Sequence, residues 1–157
     1  ENDMLPDVDK TCSGDLVTVT AGDDITWGMC LALDGTDSRY VPSSAEASSG
    51  QGTGELLCRA FACEDGEDGD AILVMTDGYA RNDAWDLDMV GTASERMILI
   101  DDATPGLMLF DDGDGLDNVA IGTGIPSDSG DALQYVAWRI TDDVLRFDPE
   151  LRGTNVP

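Results

Sequence analysis

With 157 residues, 33 acidic side chains against 8 basic ones and no histidine, the chain carries a formal charge of −25. That balance excludes histidine-dependent triads, Cys–His dyads and His-containing metal sites, and it repels nucleic acid and anionic membranes, whose binding needs clustered Lys and Arg. The length fits one domain or two small ones, and a 41% hydrophobic share separates the chain from disordered acidic sequences.

Residues 1–14 are polar, carry Pro6 and Gly14, and predict a flexible N-terminal arm. Residues 16–20 make a short β run closed by residues 21–24. A second run, residues 25–33, ends at the turn signal Asp34-Gly35. Residues 39–41 follow and stop at Pro42, and the Ser- and Gly-rich stretch 43–54 predicts a long loop. Residues 55–63 alternate as a strand does, with Leu57, Arg59 and Phe61 on one face and Leu56, Cys58, Ala60 and Ala62 on the other. An acidic turn over 64–70 leads to residues 71–76 in a hairpin-like pair, and Asp77-Gly78 marks a further turn before residues 79–85.

The second half continues in this style. Runs over 96–100 and 107–110 flank a turn over 103–106, and residues 119–121 follow the loop 111–117. A Gly/Pro/Ser loop runs to Gly130, and residues 133–140 and 144–147 flank Thr141-Asp-Asp143. No stretch keeps a 3.6-residue period over three turns. Short strands with turn signals every 8 to 12 residues or so predict an all-β fold, a small barrel or sandwich. The organisation reads as an arm (1–14), a β body (15–89) and a C-terminal β segment (90–157) able to share one core with the body.

Spread over a sphere of about 20 Å radius in water, this charge stores on the order of 60 kcal/mol of self-repulsion, which molar salt reduces severalfold. An acidic excess built on Asp, with Arg in place of Lys, predicts a halophilic source. The four cysteines, Cys12, Cys30, Cys58 and Cys63, are too few for a disulfide scaffold and lack the paired spacing of a zinc site. Buried free thiols are the favoured reading. A Cys12–Cys30 bridge is left open, while Cys58 and Cys63, five apart, would need a bulge or turn to meet.

The chain contains no GxSxG, no P-loop and no strand–GxGxxG–helix context. With 33 acids, chance pairs of carboxylates are guaranteed and carry no signal for glycoside hydrolysis. Neither a catalytic, a cofactor nor a specific metal site is predicted. The acidic loops 112–117 and 64–70 are expected to bind cations only loosely. The rare cations and rings say more: Arg59, Arg81, Arg96, Arg139 and Arg146 fall in or beside predicted strands near Phe61, Tyr79, Trp85, Trp138 and Phe147. Arg and Trp enrich the centres of interfaces. The plainer reading gives each Arg an internal Asp and each Trp a place in the core.

One resemblance sharpens this picture. Thr26-Trp-Gly-Met-Cys-Leu-Ala-Leu-Asp-Gly35, Arg39-Tyr-Val-Pro42, Leu56-Leu-Cys-Arg-Ala-Phe-Ala-Cys-Glu-Asp65, Gly69-Asp-Ala-Ile-Leu-Val-Met75 and Gly78-Tyr-Ala-Arg-Asn-Asp-Ala-Trp85 are similar, in order, to features of the head decoration (capsid-stabilising) proteins of tailed phages, the lambda head protein D type. The stretch from Met97 through Gln134-Tyr-Val-Ala-Trp138 to Pro149 is similar to C-terminal β segments of virion proteins. The resemblance implies a β-tulip-like body behind a flexible arm, a homotrimer, and a place on the outer surface of the capsid of a haloarchaeal tailed virus. The partner it implies is the major capsid protein, with no nucleic acid and no membrane involved. Arg59, Arg81 and Arg139 are the expected capsid contacts, Trp85 and Trp138 their apolar anchors, and the arm is expected to add to a capsid strand. A spike, turret or tail-fibre component engaging the host is the alternative, followed by a secreted surface domain and, more distantly, an enzyme.

Overall fold

In the computed structural model, which describes residues 10–35, 37–45, 57–85, 87, 97–100, 105–110, 131–150 and 154–155, every named element is a strand. They are β1 (Lys10–Thr20), β2 (Cys30–Leu33), β3 (Tyr40–Pro42), β4 (Ala60–Ala62), β5 (Ala71–Asn82), β6 (Met97–Ile100), β7 (Met108–Phe110), β8 (Ala132–Leu133), β9 (Tyr135–Thr141), β10 (Val144–Phe147) and β11 (Thr154–Asn155). Nine of them form one antiparallel sheet, and β8 pairs with β11 apart from it. The all-β expectation holds, as a sheet curled into a half-barrel. No helix among the described residues is long and apolar enough to cross a membrane.

The spine is β5. β1 runs antiparallel along one edge of its whole length, so β4, opposite Val74 and Met75, and β10, opposite Gly78 to Arg81, share the other edge. Leftward the order continues through β2 to β3, and rightward through β9 and β6 to β7. Residues 15–89 and 90–157 therefore contribute to one sheet. They also share one core, in which Phe61 and Met75 pack with Val136, Leu145 and Phe147, all buried. Fully burying side chains of this size contributes about 1.5–3 kcal/mol each. A smaller cluster, Ala21, Ile25, Leu31, Ala60, Ala62, Ile72 and Val74, covers the opposite face of the first half.

Two sequence expectations change here. Residues 10–14, assigned to the arm, are the first half of β1 and pair with Gly78 to Asn82; residues 1–9 lie outside the described residues. Asp77-Gly78, read as a turn, lies within β5. Opposite it stands Gly14, and the two glycines cross with φ of +153° and +151°. A Cβ on Gly14 would fall 2.2 Å from the Asp77 carbonyl oxygen, and one on Gly78 2.3 Å from that of Ser13. The ribbon thus closes where two missing side chains permit it.

Next to this crossing the register slips. Asp15 faces Asp77 while Leu16 faces Met75, leaving Thr76 as the extra residue of a β-bulge. Ahead of the bulge Met75 points into the main core; beyond it Ala80 does, and Tyr79 and Arg81 turn outward. One inserted residue thus exchanges the two faces of the strand.

The curled ends meet at the turn before β7. Gly106 donates its N–H to Ser43 O (2.8 Å) and accepts from Cys30 N–H (2.9 Å), at φ +85° behind Pro105, as a type II turn asks. A Cβ there would meet Pro42 Cβ at 3.2 Å and Met29 at 3.3 Å. Gly106→Ala is expected to lower unfolding free energy by about 1–3 kcal/mol, read by urea denaturation. An unchanged midpoint would show the seam to be slack.

The acidic turn over 64–70 has a structural job. Its carboxylates cap main-chain donors: Asp65 accepts from Trp27 N–H (2.7 Å), Asp70 from Glu67 N–H (2.8 Å) and Glu64 from Leu73 N–H (2.9 Å). Among the described residues no group of three or more acidic or Cys side chains is arranged to hold a metal ion; loop 112–117 lies outside them.

Candidate interaction face

In an antiparallel sheet, residues directly opposite one another share a face and touch. Trp138 on β9 faces Arg146 on β10, Arg146 faces Tyr79 on β5, and Tyr79 faces Ser13 on β1. The row runs across the outer side of four strands. Its centre is fixed: the Arg146 guanidinium lies 5.2 Å from the Tyr79 ring centroid and donates to Asp77 (2.5 Å). Asp77 also pushes the Arg146 pKa upward. Tyr79 remains 48% exposed and Trp138 is half-buried. A guanidinium over a phenol ring, tied to one carboxylate, forms a cation–π pair that holds both side chains in place.

Beside this row, at the β9–β10 hairpin, lies an open groove of about 620 Å³, with Trp85 and Ile140 as apolar lining and Asp83, Asp142 and Asp143 around Arg139. Arg139 stands opposite Leu145, on the core side of the sheet, and lines the groove. Its Nε donates to Leu87 O (2.8 Å) and its Nη2 to Asp142 (2.5 Å). Arg81 reaches Asp83 (2.6 Å) and Asp143 (3.4 Å) from the outer side. The Thr141 hydroxyl, donating at 2.9 Å, and then Arg81 hold the Asp143 carboxyl below its ordinary pKa. Exposed pairs of this kind contribute about 0–1 kcal/mol each, so they orient more than they stabilise.

Of the five residues expected at a contact, Arg81, Trp85 and Arg139 converge on this groove and its rim. Trp138 belongs to the adjoining row, and Arg59, exposed just ahead of β4, stands apart. Trp85 is a floor and not a projecting anchor: it is 4% exposed and packs 5.5 Å from Trp27, whose ring meets Phe61 edge-on at 5.2 Å. Its indole N–H has no hydrogen-bond partner among the described residues. The plainer reading of the arginines also fits in part, because Arg39, Arg81, Arg139 and Arg146 each hold an Asp of the same chain.

Tyr79, Arg146 and Ile140 were not among the expected contacts. Alternation alone could have placed Tyr79 with Arg81, but its outward direction depends on the Thr76 bulge, which no residue type announces. Compared with protein-family models, with curated proteins and with solved structures, the chain matches none.

Proposed function

We propose that the protein is a non-catalytic structural component of a virion, which binds the outside of an icosahedral capsid as a homotrimer and cements neighbouring major capsid subunits in high salt. The observation that carries this reading is the Trp138–Arg146–Tyr79 row, a rigid aromatic and cationic strip on a chain of net charge −25. Arg146, like the other paired arginines, holds a carboxylate of its own chain, so what the strip offers a protein surface is ordered ring and guanidinium area at low entropic cost. Leu16 and Val17, 44% and 45% exposed on β1, extend apolar surface along the same ribbon. An anionic coat suits the outer side of a shell, away from packaged phosphate.

The test is co-sedimentation of purified protein with undecorated capsids in molar salt. Parent protein is expected to saturate the capsids, and Tyr79→Ser to weaken binding about 10- to 30-fold, the loss of one exposed hot-spot ring. Arg39→Ser, in the β2–β3 connection, is expected to bind as the parent does. Failure of the parent to bind, or attachment to host cells instead, would overturn the reading. Equal binding by Tyr79→Ser would overturn the choice of face.

A further inference from the structure

The four cysteines meet in two pairs that their spacing in sequence does not suggest. Cys12, on β1 opposite Ala80, and Cys63, just after β4, both pack with Trp27 against the main core: Lys10 Nζ lies 5.7 Å from the Trp27 ring centroid and the adjoining Gly28 N–H donates to Ala62 O at 2.8 Å, which brings the two thiols close enough to perturb each other. Cys30 on β2 and Cys58, both fully buried in the same core cluster, are the second pair of neighbouring thiols. All four are free thiols in this structure. The link considered from sequence, Cys12–Cys30, is neither of these.

We propose that Cys12 and Cys63 form a reversible disulfide latch, fastening the edge strand β1 across the core to the end of β4, with Cys30–Cys58 as a slower, buried second bridge. The oxidant is a small-molecule disulfide. Cys12 thiolate attacks one of its sulfurs, the S–S bond breaks, and one thiol leaves with a proton. Cys63 then gives up its proton and attacks the Cys12 sulfur, releasing the second thiol. Two protein thiols lose two electrons and two protons, and one small disulfide becomes two thiols. The environment assigns the roles. The neighbouring Cys63, whose S–H donates to the Phe61 carbonyl at 3.6 Å, lowers the Cys12 pKa, while Cys63 itself is pushed up by Cys12 and by burial. Burial first, then Cys58, raises Cys30, which therefore reacts late.

The chain offers a clean readout. Cleavage after Lys and Arg and before Asp leaves the four cysteines in separate peptides, residues 11–14, 24–33, 40–59 and 60–64. Folded protein is incubated with oxidised glutathione in molar salt, alkylated, digested and analysed by mass without reduction. Peptide 11–14 is expected joined to 60–64, appearing before 24–33 joined to 40–59. The thermal midpoint is expected to rise by on the order of 10 °C on oxidation and to fall back with a reductant. Joining of 11–14 to 24–33, or of 40–59 to 60–64, or full alkylation of all four thiols, would overturn the proposal. A midpoint unchanged after complete Cys12–Cys63 bridging would overturn the latch.

Discussion

Gln134→Leu is expected to lower the unfolding free energy by about 3–6 kcal/mol, a large share of the 5–15 kcal/mol that separates folded from unfolded domains of this kind. Gln134 is fully buried and its amide stands in for a strand. Oε1 accepts from the Cys58 N–H at 2.6 Å, and Nε2 donates to the Cys58 carbonyl at 2.8 Å and to the Glu150 carbonyl. Of residues 57–59, which lead into β4, Arg59 donates to Leu31 O of β2 at 2.7 Å, while Cys58 beside it takes its main-chain partners from this amide. Leucine matches the volume but leaves the Cys58 N–H and carbonyl buried and unanswered, at about 1–3 kcal/mol each, and takes a donor from the Glu150 carbonyl as well. Gln134→Glu keeps the acceptor and puts a charge against two carbonyls, so its loss is expected to be no smaller. Urea unfolding followed by Trp fluorescence measures both. A Gln134→Leu midpoint equal to that of the parent would mean that water reaches Cys58 and Glu150 once the amide is gone.

This clamp illustrates how much of the molecule was legible in the residues. Apolar runs bounded by turn signals announced themselves: Tyr135–Thr141 with Val144–Phe147 around Thr141-Asp-Asp143, and Ala60–Ala62 with the start of β5 around the acidic turn. Asp34-Gly35 lies between β2 and β3, and Pro105-Gly106 precedes β7. β1 was only half visible, because an edge strand with both faces largely exposed has no apolar period to display, and its Gly14 resembles a stop. The candidate face suffered similarly. Arg81, Trp85 and Arg139 stood out by scarcity in an acidic chain, yet which side each takes depends on two irregularities, the bulge at Thr76 and a second slip between Val144 and Leu145. The cysteine pairs were the least legible, because Cys12 meets Cys63 only through the curl of the sheet, which sequence spacing cannot express.

Gly78→Ala is expected to destabilise the fold by about 3–5 kcal/mol, because two independent costs fall on one methyl group. The backbone at φ +151° is one that L side chains rarely adopt, and the new Cβ would lie 2.3 Å from Ser13 O, 2.8 Å from Gly14 Cα and 2.8 Å from Met75 Sδ. Two of these neighbours are main chain held in the ribbon and cannot swing aside. Gly69→Ala separates the two costs: φ is +95° but nothing lies within 4 Å, so only backbone strain of about 1–2 kcal/mol is expected. Gly14→Ala meets Asp77 O at 2.2 Å at the same crossing, so the double variant Gly14→Ala/Gly78→Ala is expected to lose less than the sum of the singles. Once β1 has moved off β5 to admit one methyl, the second finds the space already opened. Because Tyr79 follows the crossing directly, the damage should extend to the contact strip. At temperatures where Gly78→Ala is still folded, the proposed capsid binding is expected to fall toward that of Tyr79→Ser, and Gly69→Ala is expected to match the parent. Full additivity in the double variant would place the two methyls in separate environments and dissolve the crossing as the hinge of the ribbon.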